Sequence, residues 1–106
     1  MTEATVANFD SEVLSGEGHA AVYYHASWCK ACKEMDPFLE AAEKEYEDVS
    51  FHSVNTDISE EIVAQQAIRT IPVLEIFREG KSVRMIRGPI SEEEFKKSLS
   101  DAIGSD

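Results

Sequence analysis

The chain is poor in basic residues and in cysteine, and it contains no long apolar run. Its 106 residues include 10 Lys and Arg against 21 Asp and Glu, which gives a formal charge of −11 at pH 7. Such a surface keeps a protein soluble, but it does not suit a nucleic-acid backbone, which is bound by clustered Lys and Arg. We therefore expect no nucleic-acid partner.

No apolar stretch approaches the roughly 20 residues that a helix needs to span a bilayer. The first residues, MTEATVANFD, lack the basic and apolar regions of a secretory signal. We expect no membrane partner, and the cytoplasm is the default compartment. Thiols are kept reduced there, so two cysteines that lie close together favour a catalytic or metal-binding role over a structural one.

The length fits a single domain over 1–106, and a hydrophobic fraction of 42% is enough for a core. After a short helix at 8–15, the patterns predict the order β-α-β-α-β-β-α. Strands are predicted at 20–24, at 49–54, after Pro72 and after the turn at 78–81. Helices are predicted after Trp28, after the N-cap Ser59 and after Ser91, whose partner in a capping box is Glu94.

The β-α-β crossover predicts parallel strands, and the hairpin adds an antiparallel edge. Residues 2–6, TEATV, are a candidate for one more edge strand. We expect an α/β fold with three layers, in which a mixed central sheet carries helices on both faces. Pro37 lies inside the long helix and is expected to kink it.

Both cysteines, Cys29 and Cys32, lie where the first long strand gives way to a helix. The unpaired N–H groups and the positive end of the helix dipole stabilise an anion at this place, which lowers the pKa of a thiol. Cys32 follows one turn later and is expected to be less exposed. This arrangement is typical of an attacking cysteine followed by a resolving one.

Two other roles are weaker for this pair. A zinc site needs about four ligands, and His19, His25 and His52 lack the usual spacing of paired histidines. A structural disulfide would close a loop of two residues, and stabilisation grows with loop length. With a strand before it and a helix after it, the C-x-x-C pair favours redox chemistry.

The sequence resembles the thioredoxin family over nearly its whole length. The resemblance rests on YYHASWCKACK at 23–33, on Pro37, on VNTD at 54–57, on RTIPVLEIFREGK at 69–81 and on Gly88. It implies a thioredoxin fold and the reduction of protein disulfides, in which Cys29 attacks the client and Cys32 resolves the mixed disulfide. The redox centre would be the cysteine pair itself, so no cofactor is expected.

The resemblance also implies a substrate-binding surface, formed by Trp28, Lys30, Ala31, Ile71, Pro72 and Gly88. Ile71–Pro72 would be the cis-proline of the family, and residue 71 would offer its backbone to the client chain. From the residues alone, Pro72 also suits a strand start, Trp28 a core position and Gly88 a simple turn before Pro89. The implied partners are disulfide-containing clients and a thioredoxin reductase or ferredoxin-linked donor, and the protein would act as a monomer.

The chain departs from the family between the cysteines, where Lys30-Ala31 replaces the usual Gly-Pro. The positive charge of Lys30 and Lys33 favours the Cys29 thiolate, and Ala31 leaves the helix start less rigid than proline would. We therefore expect a lower thiol pKa at Cys29 and a less reducing potential than in a typical member.

The family usually places a buried Asp below the second cysteine and a Lys on the next strand, where this chain has Tyr23 and Ser53. A phenol, with a pKa near 10, does not easily replace a carboxylate as proton acceptor. Asp36 is the candidate substitute, because residues four apart share a helix face. Alternatively, the Asp36 carboxylate is not a proton acceptor but is solvated, or occupies the turn freed by Pro37.

Two further titratable residues stand out near the predicted site. Glu75 interrupts an apolar strand, and we expect it to be exposed at an edge rather than buried with a raised pKa. His25 precedes the cysteine loop and would add positive charge below pH 7.

Two other functions remain open beside disulfide reduction. A less reducing potential would suit a disulfide oxidase or isomerase of the same fold. A binding subunit that does not use its dithiol is the non-enzymatic alternative.

Overall fold

The computed structural model describes residues 1–5 and 8–104, which form one mixed sheet and three α-helices. The strands are β1 (Thr2–Glu3), β2 (His19–His25), β3 (Ser50–Asn55), β4 (Val73–Arg78) and β5 (Lys81–Arg87). The helices are α1 (Lys30–Glu45), α2 (Glu60–Gln65) and α3 (Glu92–Gly104), and a π-helical segment covers Asp10–Leu14.

The five strands lie in the order β1-β3-β2-β4-β5. β2 runs parallel to β3, and β3 runs parallel to β1, so the predicted N-terminal edge strand is confirmed for Thr2–Glu3. β4 and β5 are each antiparallel to their neighbours, as the hairpin predicted. The last strand residues of β2 and β3 therefore meet at one edge of the sheet, where the cysteines follow.

Alternate residues of β2 point to opposite faces and separate the two halves of the core. Tyr23 lies on one face with Met35 and Leu39 of α1 and Phe95 of α3. The other face is covered by the π-helical segment and α2, and its members include Phe9, Val13, Val22, Tyr24, Ile62, Val73 and Phe77. The three-layer arrangement predicted from the order of elements is confirmed.

The predicted capping hydrogen bond forms at α3, whereas α2 and the first helical segment differ from what the sequence predicts. In α3, the Ser91 hydroxyl accepts from the Glu94 N–H at 3.1 Å, as the capping box predicted. In α2, Ser59 occupies the N-cap position, but its buried side chain makes no capping hydrogen bond. The predicted helix at 8–15 forms a π-helical segment over Asp10–Leu14, while Val6 and Ala7 lie outside the described residues.

Glu75 is buried, so its predicted exposure is wrong. Its side chain is 1% exposed, on the sheet face covered by α2. The Tyr24 hydroxyl donates to it at 2.7 Å, and the Gln66 amide donates at 3.2–3.3 Å to its two oxygens. These donors replace the water that the carboxylate loses, which is the condition for burying such a group.

The β4–β5 turn depends on glycine at its second residue. Glu79 and Gly80 both have positive φ, 50° and 79°, which is the backbone of a tight primed hairpin turn. A Cβ on Gly80 would overlap the backbone carbonyl oxygen of Leu14, at the end of the π-helical segment. Gly80 therefore allows both the turn and the close contact between the hairpin and that segment.

We expect Gly80→Ala to lower the free energy of unfolding by about 2–4 kcal/mol, because it adds a steric overlap to the cost of a positive φ. Gly18→Ala is the matched control. Gly18 has a similar φ of 73°, but a Cβ there meets no atom within 4 Å, so a loss of about 1 kcal/mol is expected. Urea unfolding of the two variants measures the difference, and equal losses would contradict the packing role of Gly80.

Candidate active site

Cys29 and Cys32 form a disulfide at the start of α1, with their Cα atoms 5.3 Å apart. Cys29 is the N-cap residue, with extended backbone, and Cys32 lies in the first turn. The Cys32 N–H donates to the Cys29 sulfur at 3.1 Å, as a serine or aspartate oxygen would accept at an ordinary cap. A helix N–H is thus aimed at the Cys29 sulfur, a position that stabilises negative charge on a thiol.

The disulfide is shielded by a small apolar cluster. Cys29 and Cys32 are 5% and 2% exposed, and Ala26, Ala31 and Ile71 pack against them. The lower exposure of Cys32 agrees with the order expected of an attacking and a resolving thiol.

Ile71 packs against the cysteines, and the peptide bond between Ile71 and Pro72 is cis, as the resemblance implied. Pro72 is buried and directly precedes β4, so it also stands at a strand start. Its carbonyl oxygen accepts from the Gly88 N–H at 2.9 Å. This bond ties the loop after β5 to the proline.

Gly88 is required by close packing, not only by a turn. A Cβ at this position would lie 2.5 Å from the Met35 sulfur and 3.0 Å from Pro72 Cγ. The Gly88–Pro89 bond that follows is also cis. Glycine therefore lets this loop approach both the cis-proline and the helix that carries Cys32.

Trp28 is 67% exposed, so it is not a core residue. Its indole N–H donates to Asp57 Oδ2 at 2.9 Å, and the Asp57 N–H is held by the Asn55 side chain at 2.9 Å. Trp28 also lines a surface cavity of about 180 Å³ whose other walls include Thr56, Val63 and 68–71. The hydrogen bond to Asp57 thus fixes the indole at the surface, where it forms one wall of a groove beside the disulfide.

Tyr23 links the resolving cysteine to Asp36. Its hydroxyl lies 2.8 Å from the Cys32 carbonyl oxygen and 2.9 Å from Asp36 Oδ1. Burial, together with the hydrogen bond and negative charge of Asp36, raises the pKa of Tyr23 well above its ordinary value, so the phenol keeps its proton. The Asp36 carboxylate therefore lies on the same side of α1 as Cys32, as the spacing of the two residues predicted.

A cleft of about 190 Å³ opens at the place where the family has its buried acid and lysine. Tyr23 and Ser53, which stand at those two positions, are paired across β2 and β3 and both line it. His25 and Asp36 line it too, and the His25 ring stacks on Tyr23 at 5.4 Å. The cleft brings solvent to the Asp36 side of the helix.

Glu75 does not belong to this site. It sits with Tyr24 on the sheet face covered by α2, whereas Tyr23 and α1 occupy the opposite face. The sheet therefore separates its carboxylate from Cys32. Asp36, unlike Glu75, lies on the side of the resolving cysteine.

Sequence reasoning missed the partner of Trp28. Asp57 enters the sequence analysis only as the last residue of VNTD, although the predicted topology indicates that it lies near Trp28. It follows β3, Trp28 follows the neighbouring parallel strand β2, and residues after the carboxyl ends of parallel strands meet at one edge. That rule places the carboxylate within reach of the indole.

Residues 1–5 and 8–104 contain neither a metal-binding cluster nor a membrane-spanning helix. No group of three His, Cys, Asp or Glu side chains is placed to hold a metal ion in this part of the chain. Over the same residues, no helix is long and apolar enough to cross a membrane.

Comparison with known proteins gives a consistent result. The family model described as Thioredoxin matches residues 1–101. A protein named "Thioredoxin" from Porphyra purpurea is 31% identical over 104 residues, which are 97% of each chain. Similar proteins are "Thioredoxin" from Chlorobaculum thiosulfatiphilum, 32% identical over 96% of this chain and 95% of its own, and "Thioredoxin 1" from Nostoc sp., 31% identical over 92% of each.

The two neighbouring tyrosines provide a matched test of carboxylate burial. We expect Tyr24→Phe to lower the free energy of unfolding by about 1–3 kcal/mol, because it removes a donor from the buried Glu75 carboxylate. Tyr23→Phe makes the same chemical change beside the exposed Asp36, and the expected loss is below about 1 kcal/mol. Urea unfolding at pH 7 compares them, and a larger loss at Tyr23 would contradict this account.

Proposed function

The chain belongs to the thioredoxin family of thiol–disulfide oxidoreductases, and we propose that it works in the reducing direction, on disulfides of client proteins. The reducing direction is the activity expected of the thioredoxin family. The observation that best supports disulfide exchange through Cys29, in either direction, is the Cys32 N–H aimed at the Cys29 sulfur at the start of α1. A helix N-terminus stabilises the thiolate of the reduced protein, which is the nucleophile of disulfide exchange.

The exchange proceeds in two displacements. The Cys29 thiolate attacks one sulfur of the client disulfide, a mixed disulfide forms, and the other client sulfur leaves as a thiolate that takes up a proton. The Cys32 thiolate then attacks the Cys29 sulfur, and the second client sulfur leaves in the same way. Two electrons have passed to the client, and the Cys29–Cys32 disulfide has formed.

The surface around the disulfide suits a docked chain. Ile71 packs against the cysteines next to the cis-proline, and Trp28 forms one wall of the adjacent cavity. We assign client binding to these residues together with Lys30, Ala31 and the close-packed Gly88. A client strand that pairs with the backbone at residue 71 would bring its sulfur over Cys29.

Asp36 is our candidate for the group that accepts the Cys32 proton, directly or through water in the cleft. The Tyr23 hydroxyl has one hydrogen and two oxygens within hydrogen-bond distance. It can donate to a charged Asp36, or it can donate to the Cys32 carbonyl while a protonated Asp36 donates to it. The arrangement accommodates both protonation states of Asp36, as a proton acceptor requires.

The proposal needs a source of electrons. A thioredoxin reductase, or a ferredoxin-linked equivalent, would reduce the Cys29–Cys32 disulfide after each cycle. We place the protein in the cytoplasm, where such a donor keeps dithiols reduced and supports electron transport to clients and redox homeostasis.

The second candidate function is disulfide oxidation or isomerisation, and Lys30-Ala31 favours it. Lys30 is exposed beside Cys29, so its charge stabilises the reduced thiolate form and makes the protein less reducing. Equilibration of the dithiol with glutathione distinguishes the two directions. A redox-independent binding role is the third candidate.

We expect a Cys32→Ser variant to accumulate mixed disulfides with client proteins, because Cys29 attacks but nothing resolves the product. Non-reducing electrophoresis after incubation with a disulfide-containing protein measures the trapped species. The matched control is the Cys29→Ser, Cys32→Ser double variant, which lacks the nucleophile. Failure of the single variant to trap more than the double variant would overturn the proposed function.

We expect Asp36→Asn to slow release of the reduced client at neutral pH by roughly 10²-fold, because the Cys32 thiol loses its proton acceptor. The defect should shrink as the pH rises, since solvent base then removes the proton. Rapid mixing of the reduced protein with a client disulfide measures the step.

Glu40→Gln is the control for Asp36→Asn, because Glu40 is exposed, lines the same cleft and undergoes the same change of charge. It should leave the rate of release unchanged. A similar slowing in both variants, or a defect at Asp36 that does not depend on pH, would show that Asp36 acts only through the local charge or structure.

A further inference from the structure

A second cavity adjoins the one beside Trp28 and carries only positive charge. It has a volume of about 330 Å³, and we call it the Arg69–Arg87 groove. Its walls include the apolar residues Ala67, Ile68, Val73 and Met85, and its charged residues are Arg69 and Arg87. Arg69 lines both cavities, so the two form a continuous surface that starts at Trp28.

We propose that the Arg69–Arg87 groove selects client disulfides whose cysteine is flanked by acidic residues. The inference rests on the proposed function and names the class of substrate. It commits to one occupant, an acidic segment of the client chain adjoining the cysteine that Cys29 attacks.

The groove lies at the reactive end of the sheet. Arg69 is two residues before Ile71, which packs against the cysteines. Arg87 pairs with Val73 across β4 and β5, and Val73 directly follows the cis-proline. A client chain held at residue 71 would therefore extend along this surface.

Both guanidinium groups are available to a partner. Arg69 and Arg87 are exposed, and neither has a carboxylate within 4.0 Å among the described residues. The Arg87 guanidinium lies 3.6 Å from the Met85 sulfur, over the apolar part of the groove. Two unpaired cations over apolar walls form a site for carboxylates, and arginine binds these in a two-pronged geometry.

The positive charge of the groove contrasts with the negative net charge of the chain. With a net charge of −11, the long-range field of the protein attracts basic chains and repels acidic ones. A local cationic groove opposes that field only at the site of chemistry. Charge complementarity of this kind sets specificity and association rate more than total affinity.

A simpler role for basic residues exists on the same strand. β5 is an edge strand, and charged side chains on an edge prevent pairing with other chains. Arg84 lies on this edge strand and fits that role. It lines a separate cavity, together with Asp101 of α3. Arg87 differs from it, since its groove is shared with Arg69 and contains no acid.

The test uses two peptide disulfides that are identical except for Glu or Lys on both sides of the cysteine. With the complete chain, we expect kcat/KM for the Glu peptide to exceed that for the Lys peptide by about 5- to 20-fold at low salt. The ratio should approach one at 1 M salt, where the Debye length is about 3 Å. The net charge alone predicts the opposite order.

Arg69→Glu and Arg87→Glu should each reverse or abolish the preference for the Glu peptide. Arg84→Glu is the matched control, because it changes the net charge by the same amount on the same strand as Arg87 but outside the groove. It should keep the preference. Unfolding of each variant in urea shows that the fold is retained.

The outcomes separate the two proposals. If neither peptide is reduced, the proposed function fails. If both are reduced with equal kcat/KM, or the Lys peptide is preferred, the reductase proposal stands and the selective groove is overturned. A preference that Arg84→Glu abolishes as fully as Arg87→Glu would assign the effect to net charge and overturn the groove as well.

Discussion

The N-cap hydrogen bond from the Cys32 N–H to the Cys29 sulfur is the interaction on which the site depends. It requires that β2 end near Ala26 and that α1 begin at Lys30, so it joins the redox centre to the main secondary structure. One turn of helix then fixes the second sulfur beside the first. The cis-proline loop and the Gly88 loop close around this turn, and the packing of Gly88 against Pro72 and Met35 holds them together.

The central sheet divides the buried polar chemistry of the molecule into two separate networks. Tyr23 and Tyr24 are neighbours in β2, yet their hydroxyls contact carboxylates on opposite faces. One network reaches Cys32 and the cleft, where a proton can exchange with solvent. The other encloses Glu75 among donors and holds α2 against the sheet. A tyrosine–carboxylate pair thus stabilises packing on one face, while on the face that carries the cysteines it is our candidate for proton transfer.

Charge is distributed in a way that total composition hides. The chain has a net charge of −11, while the arginines of the Arg69–Arg87 groove lie next to the end of the sheet that carries the cysteines. Trp28 completes this surface on the other side, held open by its bond to Asp57. In our proposal, a client would meet an aromatic wall, the buried disulfide and the cationic groove, and its selectivity would arise from these features.

The sequence by itself determined the order of elements, the mixed sheet and the two cysteines of the centre, because periodicity, capping residues and short spacings act within a few residues. It also placed Ser91 as a cap and Asp36 on the face of Cys32. Only the tertiary structure decided the burial of Glu75, the bond between Trp28 and Asp57, and the contact of Tyr23 with Asp36. The partners in these pairs are 51, 29 and 13 residues apart in the chain. A local sequence pattern shows which side chain occupies a position. Only the packed sheet brings in the distant hydrogen-bond donors that allow a carboxylate such as Glu75 to be buried.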